Sequence, residues 1–338
     1  MARPAGVSHR GAMPAPDHRA TSAIAPVDLA TLVLLGALWG AAYLFSRIAA
    51  PEVGALWVGV ARVGIAAAVL LALTGSGTIR AIRSRPRQFL IVGLTSSAIP
   101  FTLIAVAALT LPTALGGLLN ATTPLFTALF SVGILGQRLT TRTMVGMGFG
   151  LAAVVVLLGW SPLEIGPATV VAALAALGAA ANFGIAGVVA RRWMADVPPM
   201  HLAAGQMTVA TLVLLPLALA SGVPAAPTPG AVVALVAIGV GSTALAWPLY
   251  FRTLRRSTAT AASTVTFIIP GFAIAWGALV LGEAPGPGTA AGIALVIVSL
   301  VLVLDVRLPR PSRAIRPVSQ PAAGPALTAG RAALPAEA

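Results

Sequence analysis

Apolar residues run through this chain in long blocks, separated by short turns that carry Arg, Pro or Gly. The blocks predict helices near 30–49, 55–75, 89–109, 114–135 and 143–160. A second set falls near 168–190, 201–220, 231–251, 258–281 and 288–305. A bilayer span takes about 20 predominantly apolar residues, and each block is about that long. The least marked separations lie at Leu111-Pro112-Thr113 and at Arg255 and Arg256. The expected fold class is therefore an all-α polytopic membrane protein with ten transmembrane helices.

Charge placement orients these spans. With the N-terminal tail (Arg3, Arg10, Arg19) in the cytoplasm, alternate connections hold Arg80, Arg83, Arg85 and Arg87, then Arg138 and Arg142, then Arg191 and Arg192, then Arg252, Arg255 and Arg256. The C-terminal tail from Arg307 to Arg331 falls on the same side. The opposite connections contain Glu52, Glu164 and Glu283 and no Arg. Positive residues concentrate on the cytoplasmic side of membrane proteins, so the pattern predicts a multi-pass protein of the bacterial cytoplasmic (inner) membrane with both termini inside. Residues 1–28 and 306–338, rich in Pro, Ala and Arg, are expected to be disordered cytoplasmic tails.

Composition agrees. Charged residues make up 9% of the chain and apolar ones 58%, with a mean hydropathy of +0.97, whereas a soluble domain carries about 25% charged residues. A net charge of +13 would suggest a nucleic-acid partner, but the basic residues are all Arg and nearly all lie in tails or turns, so no nucleic acid is expected. Cysteine is absent, which excludes disulfides and thiolate chemistry. No phosphate-binding Gly-rich loop and no His/Cys/Asp/Glu cluster at ligand spacing is present. No catalytic residue, cofactor or metal is expected.

The chain also repeats itself. Pro124-Leu125-Phe126 and Pro270-Gly271-Phe272, Leu135-Gly136-Gln137 and Leu281-Gly282-Glu283, and Gly146 and Gly292 are each 146 positions apart. The halves are 30–160 and 168–305. Each holds an odd number of spans, so the second is inverted relative to the first, an arrangement suited to alternating access around a central site.

These residues carry a resemblance. ALWGAAYLFSRIA at 37–49, Arg62, and PLFTALFSVGILGQRLTTRTMVGMGFGLAAVVVLL at 124–158 resemble one repeat of the EamA family of the drug/metabolite transporter superfamily. LAWPLYFRTLRRSTATAASTVTFIIPGFAIAWGALVLGE at 245–283 resembles the second. The resemblance implies a ten-helix inner-membrane carrier, often an exporter of small metabolites. The family's usual Leu-Gly-Glu is Leu135-Gly136-Gln137 in the first copy, so paired acidic positions are not intact and neither is assigned as a proton relay.

Several residues are candidates for a transport path or gate. Pro124 and Pro270 interrupt equivalent spans and either open backbone toward a cavity or fix a packing kink. Asn120, Asn182, Gln206, Tyr43 and Tyr250 place polar groups in or near hydrocarbon, where they line an aqueous route, bond between helices or anchor a membrane interface. Trp39, near the middle of its span, is a packing or cavity residue. Arg62 lies about 10 Å from the outer end of its helix and must face the interior, either as a substrate or gate electrostatic element or within a fixed network. The leading expectation is a secondary transporter of a small organic metabolite, with membrane lipids around it and a homodimer left open. A membrane sensor or scaffold, or a lipid-modifying membrane enzyme, are the alternatives.

Overall fold

The computed structural model describes residues 26–136, 138–160, 164, 166–250 and 265–303. The helices are α1 (Pro26–Val53), α2 (Ala55–Thr74), α3 (Ser76–Ser84), α4 (Pro86–Ala108), α5 (Thr113–Leu135), α6 (Thr141–Gly159), α7 (Pro167–Trp193), α8 (Pro199–Ala220), α9 (Pro229–Tyr250), α10 (Val265–Leu281) and α11 (Pro287–Val303). Among the described residues, eight helices are long and apolar enough to cross a bilayer, and α10 and α11 add shorter apolar helices. Leu212, at 67% exposed, and Leu279, at 77%, point outward. Side chains of that kind are at home on a surface solvated by hydrocarbon. The protein is an all-α polytopic membrane protein.

Local sequence sets where the helices start and stop. Six begin on a proline whose missing N–H has no partner to lose at a first turn. Thr140 and Thr228 cap α6 and α9 by accepting from the Thr143 and Ala231 amides at 3.1 and 3.3 Å. Gly54, at φ 80°, turns α1 into α2 in one residue.

The packing is pairwise. The helix α1 lies on α9 and α10, while α7 lies on α4 and α5; α2 packs on α8, and α6 on α11. Glycines set the closest approaches. A Cβ on Gly146 of α6 would come within 2.8 Å of Leu302 Cβ on α11, and Ser299 Oγ donates to the Gly146 carbonyl at 2.7 Å.

Three features depart from the expected spans. The Arg-bearing connection after α2 is not a simple turn: residues 76–84 form the short helix α3, amphipathic and buried at Thr78. The Pro124 span is broken, Thr113–Asn120 and Thr123–Leu135 being separate segments, whereas the helix at Pro270 runs unbroken from Val265. Both α4 and α9 contain a π-helical turn, at Leu94–Ala98 and Val240–Leu245. Residues 258–264 of the expected ninth span, 1–25 and 306–338 of the tails, Gln137 and Arg252, Arg255 and Arg256 lie outside the described residues, while Pro26, Val27 and Asp28, expected in the first tail, open α1.

Candidate functional site

Arg62 sits at the centre of the bundle, 4% exposed. Its Nε donates to Thr243 Oγ1 at 3.0 Å, and its guanidinium lies 3.7 Å from the Phe101 ring centroid, a cation–π distance. Phe101 in turn stacks against Phe183 at 6.0 Å. The guanidinium Nη1 is buried with no hydrogen-bond partner. Among the described residues the one acid–base ion pair joins Arg85 and Asp196, so Arg62 has no carboxylate beside it.

One π turn places a hydroxyl on this charge, and the other places one on Gln206. Proline follows each turn, at Pro100 and Pro248, and removes an N–H that a regular ladder would need. An inserted π turn is a common way for a helix to absorb such a break. In α9, Thr243 Oγ1 donates back to the Ile238 carbonyl at 2.8 Å while accepting from Arg62. In α4, Ser96 Oγ lies 2.7 Å from both the Val92 carbonyl and Gln206 Oε1. Thus a polar side chain of α2 holds the turn in α9, and one of α8 holds the turn in α4. Gln206 Nε2 and Ser242 Oγ are also buried without partners.

Tyr43 and Asn120 complete the centre. Tyr43 lies beside the Asn120 side chain and within Coulombic range of Arg62, and Asn120 Oδ1 is buried without a partner. Asn120 ends the first segment of α5, and Pro124 lies in the first turn of the second. Pro270 is buried one turn from Ala273, which packs with Tyr43. Above them, toward the end that carries Glu52 and Glu283, a crevice of about 10 Å³ is lined by Tyr43, Asn120, Leu111 and Thr113. That space suits about one water and admits no metabolite.

Trp39 and Tyr250 form an aromatic cluster with Trp247, with ring centroids 5.3 to 6.2 Å apart. Asn182 Nδ2 donates to the Gly178 carbonyl of its own helix at 2.8 Å.

The helix ends are tied by charged residues. Glu52 accepts from the Thr228 amide and hydroxyl, both at 2.8 Å, and Glu283 accepts from the same groups of Thr113 at 2.9 and 3.3 Å. At the opposite end Arg85 makes a bidentate pair with Asp196 at 2.7 and 2.5 Å. That hydrogen-bonded pair holds the Asp196 carboxyl below its ordinary range and raises Arg85 above its own. Arg47 Nη1 donates to the Ala108 and Leu109 carbonyls at 2.8 and 2.9 Å, so it caps α4.

Reasoning from composition and spacing passed over Ser96, Ser242, Thr243 and Phe101. A signal was present: Gly93-Leu94-Thr95-Ser96-Ser97-Ala98 and Gly239-Val240-Gly241-Ser242-Thr243-Ala244 share Gly-x-x-Ser-[Ser/Thr]-Ala at the same offset of 146. No group of three or more His, Cys, Asp or Glu that could hold a metal ion occurs among the described residues.

Known proteins place this architecture. The chain is 26% identical over 275 residues to a probable terminal-alkyne amino-acid exporter of Streptantibioticus cattleyicolor, covering 80% of this chain and 91% of that one. A protein of known crystal structure shares the fold with a TM-score of 0.58, at 24% identity over 82% of this chain and 94% of the other. The sequence profile of the EamA-like transporter family matches residues 29–159 and 170–305. With its all-helical membrane fold and this match over most of its length, the chain belongs to the EamA-like transporter family and is a membrane transporter of small molecules, not an enzyme.

Proposed function

We propose that this protein is a secondary carrier that exports a small α-amino acid with an apolar side chain across the bacterial inner membrane. The observation that carries this reading is Arg62: a buried guanidinium with one nitrogen unpartnered and no acid beside it. A cation left unpaired in a low-dielectric interior costs several kcal/mol, and an arriving carboxylate removes that cost. Asn120 Oδ1 is the complementary orphan, an acceptor suited to an ammonium group, with Tyr43 beside it and within Coulombic range of Arg62. A zwitterion supplies an acceptor to the first and a donor to the second. Phe101, Phe183 and Ile104 give the surroundings an apolar character. The similarity to a probable terminal-alkyne amino-acid exporter supports both cargo class and direction.

In this reading ten spans form two inverted five-helix halves that alternate access to the Arg62 site. Several pairings support it. Exchanging the halves turns α1 on α9 and α10 into α7 on α4 and α5, and returns α2 on α8 and α6 on α11 to themselves. The Arg62–Thr243 and Gln206–Ser96 bonds exchange as well, as do the Glu52 tie at one end and the Asp196 tie at the other. The Arg-bearing end is cytoplasmic by the positive-inside rule, and Pro124 and the broken α5 belong to the moving path.

The test is a comparison of intracellular and external amino acids after deletion and re-expression. An apolar amino acid that accumulates inside without the protein, and appears outside on re-expression, supports the proposal. Unchanged pools, together with no counterflow of apolar amino acids by folded protein in vesicles, would overturn it.

A further inference from the structure

A second feature has no place in the central site. Between α1 and α9 lies a groove of about 690 Å³, open along its side and lined by Leu38, Ala41, Phe45, Val236 and Val240, with Ser242 among its lining residues. Trp276 borders it and is fixed there by donating to the Ala37 carbonyl at 3.1 Å. Val236 and Val240 are exposed on the outer surface, so in a membrane the opening faces hydrocarbon. Ser242 is 1% exposed, and its Oγ has no hydrogen-bond partner.

That orphan hydroxyl has a local cause. A serine in a membrane helix ordinarily satisfies itself on the carbonyl four residues back. For Ser242 that carbonyl belongs to Ile238, and the π turn gives it to Thr243 Oγ1 instead. The equivalent serine of the other turn, Ser96, keeps its carbonyl and also meets Gln206. Ser242 therefore stays free where its counterpart is satisfied. A bilayer acyl chain has no polar atom to offer a hydroxyl at this depth, whereas an amphiphilic cargo does. Thr243, the next residue, holds Arg62, so one turn of helix adjoins both the groove and the cation.

We infer that the α1–α9 groove is the side-chain subsite of the carried molecule. It receives an extended apolar tail from the bilayer side, with Ser242 at the junction between tail and polar head. The inference rests on the carboxylate reading of Arg62 and adds to it a preference for long, unbranched side chains.

Straight-chain 2-aminoalkanoates, from alanine to 2-aminooctanoate, are the probes, with counterflow by full-length protein in vesicles as the readout. Half-saturation should fall by about fourfold for each methylene buried. Val236→Trp and Ala41→Phe narrow the groove from opposite walls. In either variant that folds, judged by a single peak on gel filtration, the preference for the longest over the shortest probe should collapse toward one. Retention of the full preference in a folded variant overturns the subsite. So does labelling of the groove by a diazirine-tailed phospholipid that 2-aminooctanoate fails to displace, since that assigns it to bilayer lipid. Transport of short probes with no length dependence in the unaltered protein removes the subsite alone. Failure to move any probe removes the amino-acid reading along with it.

Discussion

Arg62 is held on one side and free on the other. Nε is bound to Thr243 and the plane rests on Phe101, while Nη1 has no partner. Thr243→Val keeps the shape of that side chain and removes the acceptor. A hydrogen bond to a charged group is worth about 1.5–3 kcal/mol, so half-saturation for the cargo should rise at least tenfold while gel filtration of the folded protein is unchanged. An unaltered half-saturation would show that the bond does not orient the guanidinium. The residues of this centre were unequally legible. Arg62, Tyr43 and Asn120 stand out because a polar group in an apolar block is costly and needs a reason. Ser242 and Thr243 do not, because hydroxyls in membrane helices usually bond their own backbone. Only the π turn shows that Thr243 takes the Ile238 carbonyl and leaves Ser242 without it.

At the level of single helices, Pro124 and Pro270 are equivalent in sequence and differ in outcome. Thr122 and Thr123 precede the first proline, and their hydroxyls donate to the Leu119 and Asn120 carbonyls at 2.7 Å, satisfying the groups that the break frees. Ile268 and Ile269 precede the second and carry no hydroxyl. The proline was readable as a possible opening, but which copy opens depends on these neighbours. Replacing both threonines by Ile should reduce transport several-fold at unchanged folded yield, and normal transport would detach the break from function. The α6–α11 pair gives a stability counterpart. Gly146→Leu places a side chain against Leu302 and the Ser299 carbonyl, and overpacking of that kind costs about 1–3 kcal/mol. Thermal unfolding in detergent should shift down accordingly, whereas Gly148→Ala, with nothing within 4 Å of its added carbon, should leave it in place.

Across the whole molecule, ties close both ends. Glu52 and Glu283 hold helix starts at one end, and Asp196 holds Arg85 at the other. The lowered Asp196 pKa means that its charged form, and the tie with it, is present throughout and above the ordinary carboxylate range, and is lost only as pH falls below it. The chain contains no cysteine, so Ser97→Cys, fully buried within the α4 π turn, reports opening directly. Adding Asp196→Asn to that variant should speed its reaction with an impermeant maleimide applied from the Arg-bearing side at neutral pH. Equal rates with and without Asp196→Asn would show that the tie does not gate that end. The sequence carried the span pattern and charge alternation at this scale, because both follow from solvation by a bilayer. The pairing of helices across the bundle was not readable, since it depends on which glycine faces which ridge.

The central claim is that Arg62 binds the carboxylate of the cargo. The direct measurement is counterflow of an apolar amino acid by vesicles containing Arg62→Ala or Arg62→Lys at matched folded abundance. Removing one partner of a buried charged pair costs about 2 kcal/mol or more, so Arg62→Ala should lose at least about thirtyfold in transport efficiency. Arg62→Lys, which keeps the charge but not the forked contact with Thr243 and Phe101, should fall between that variant and the parent. Near-normal transport by folded Arg62→Ala would contradict the account.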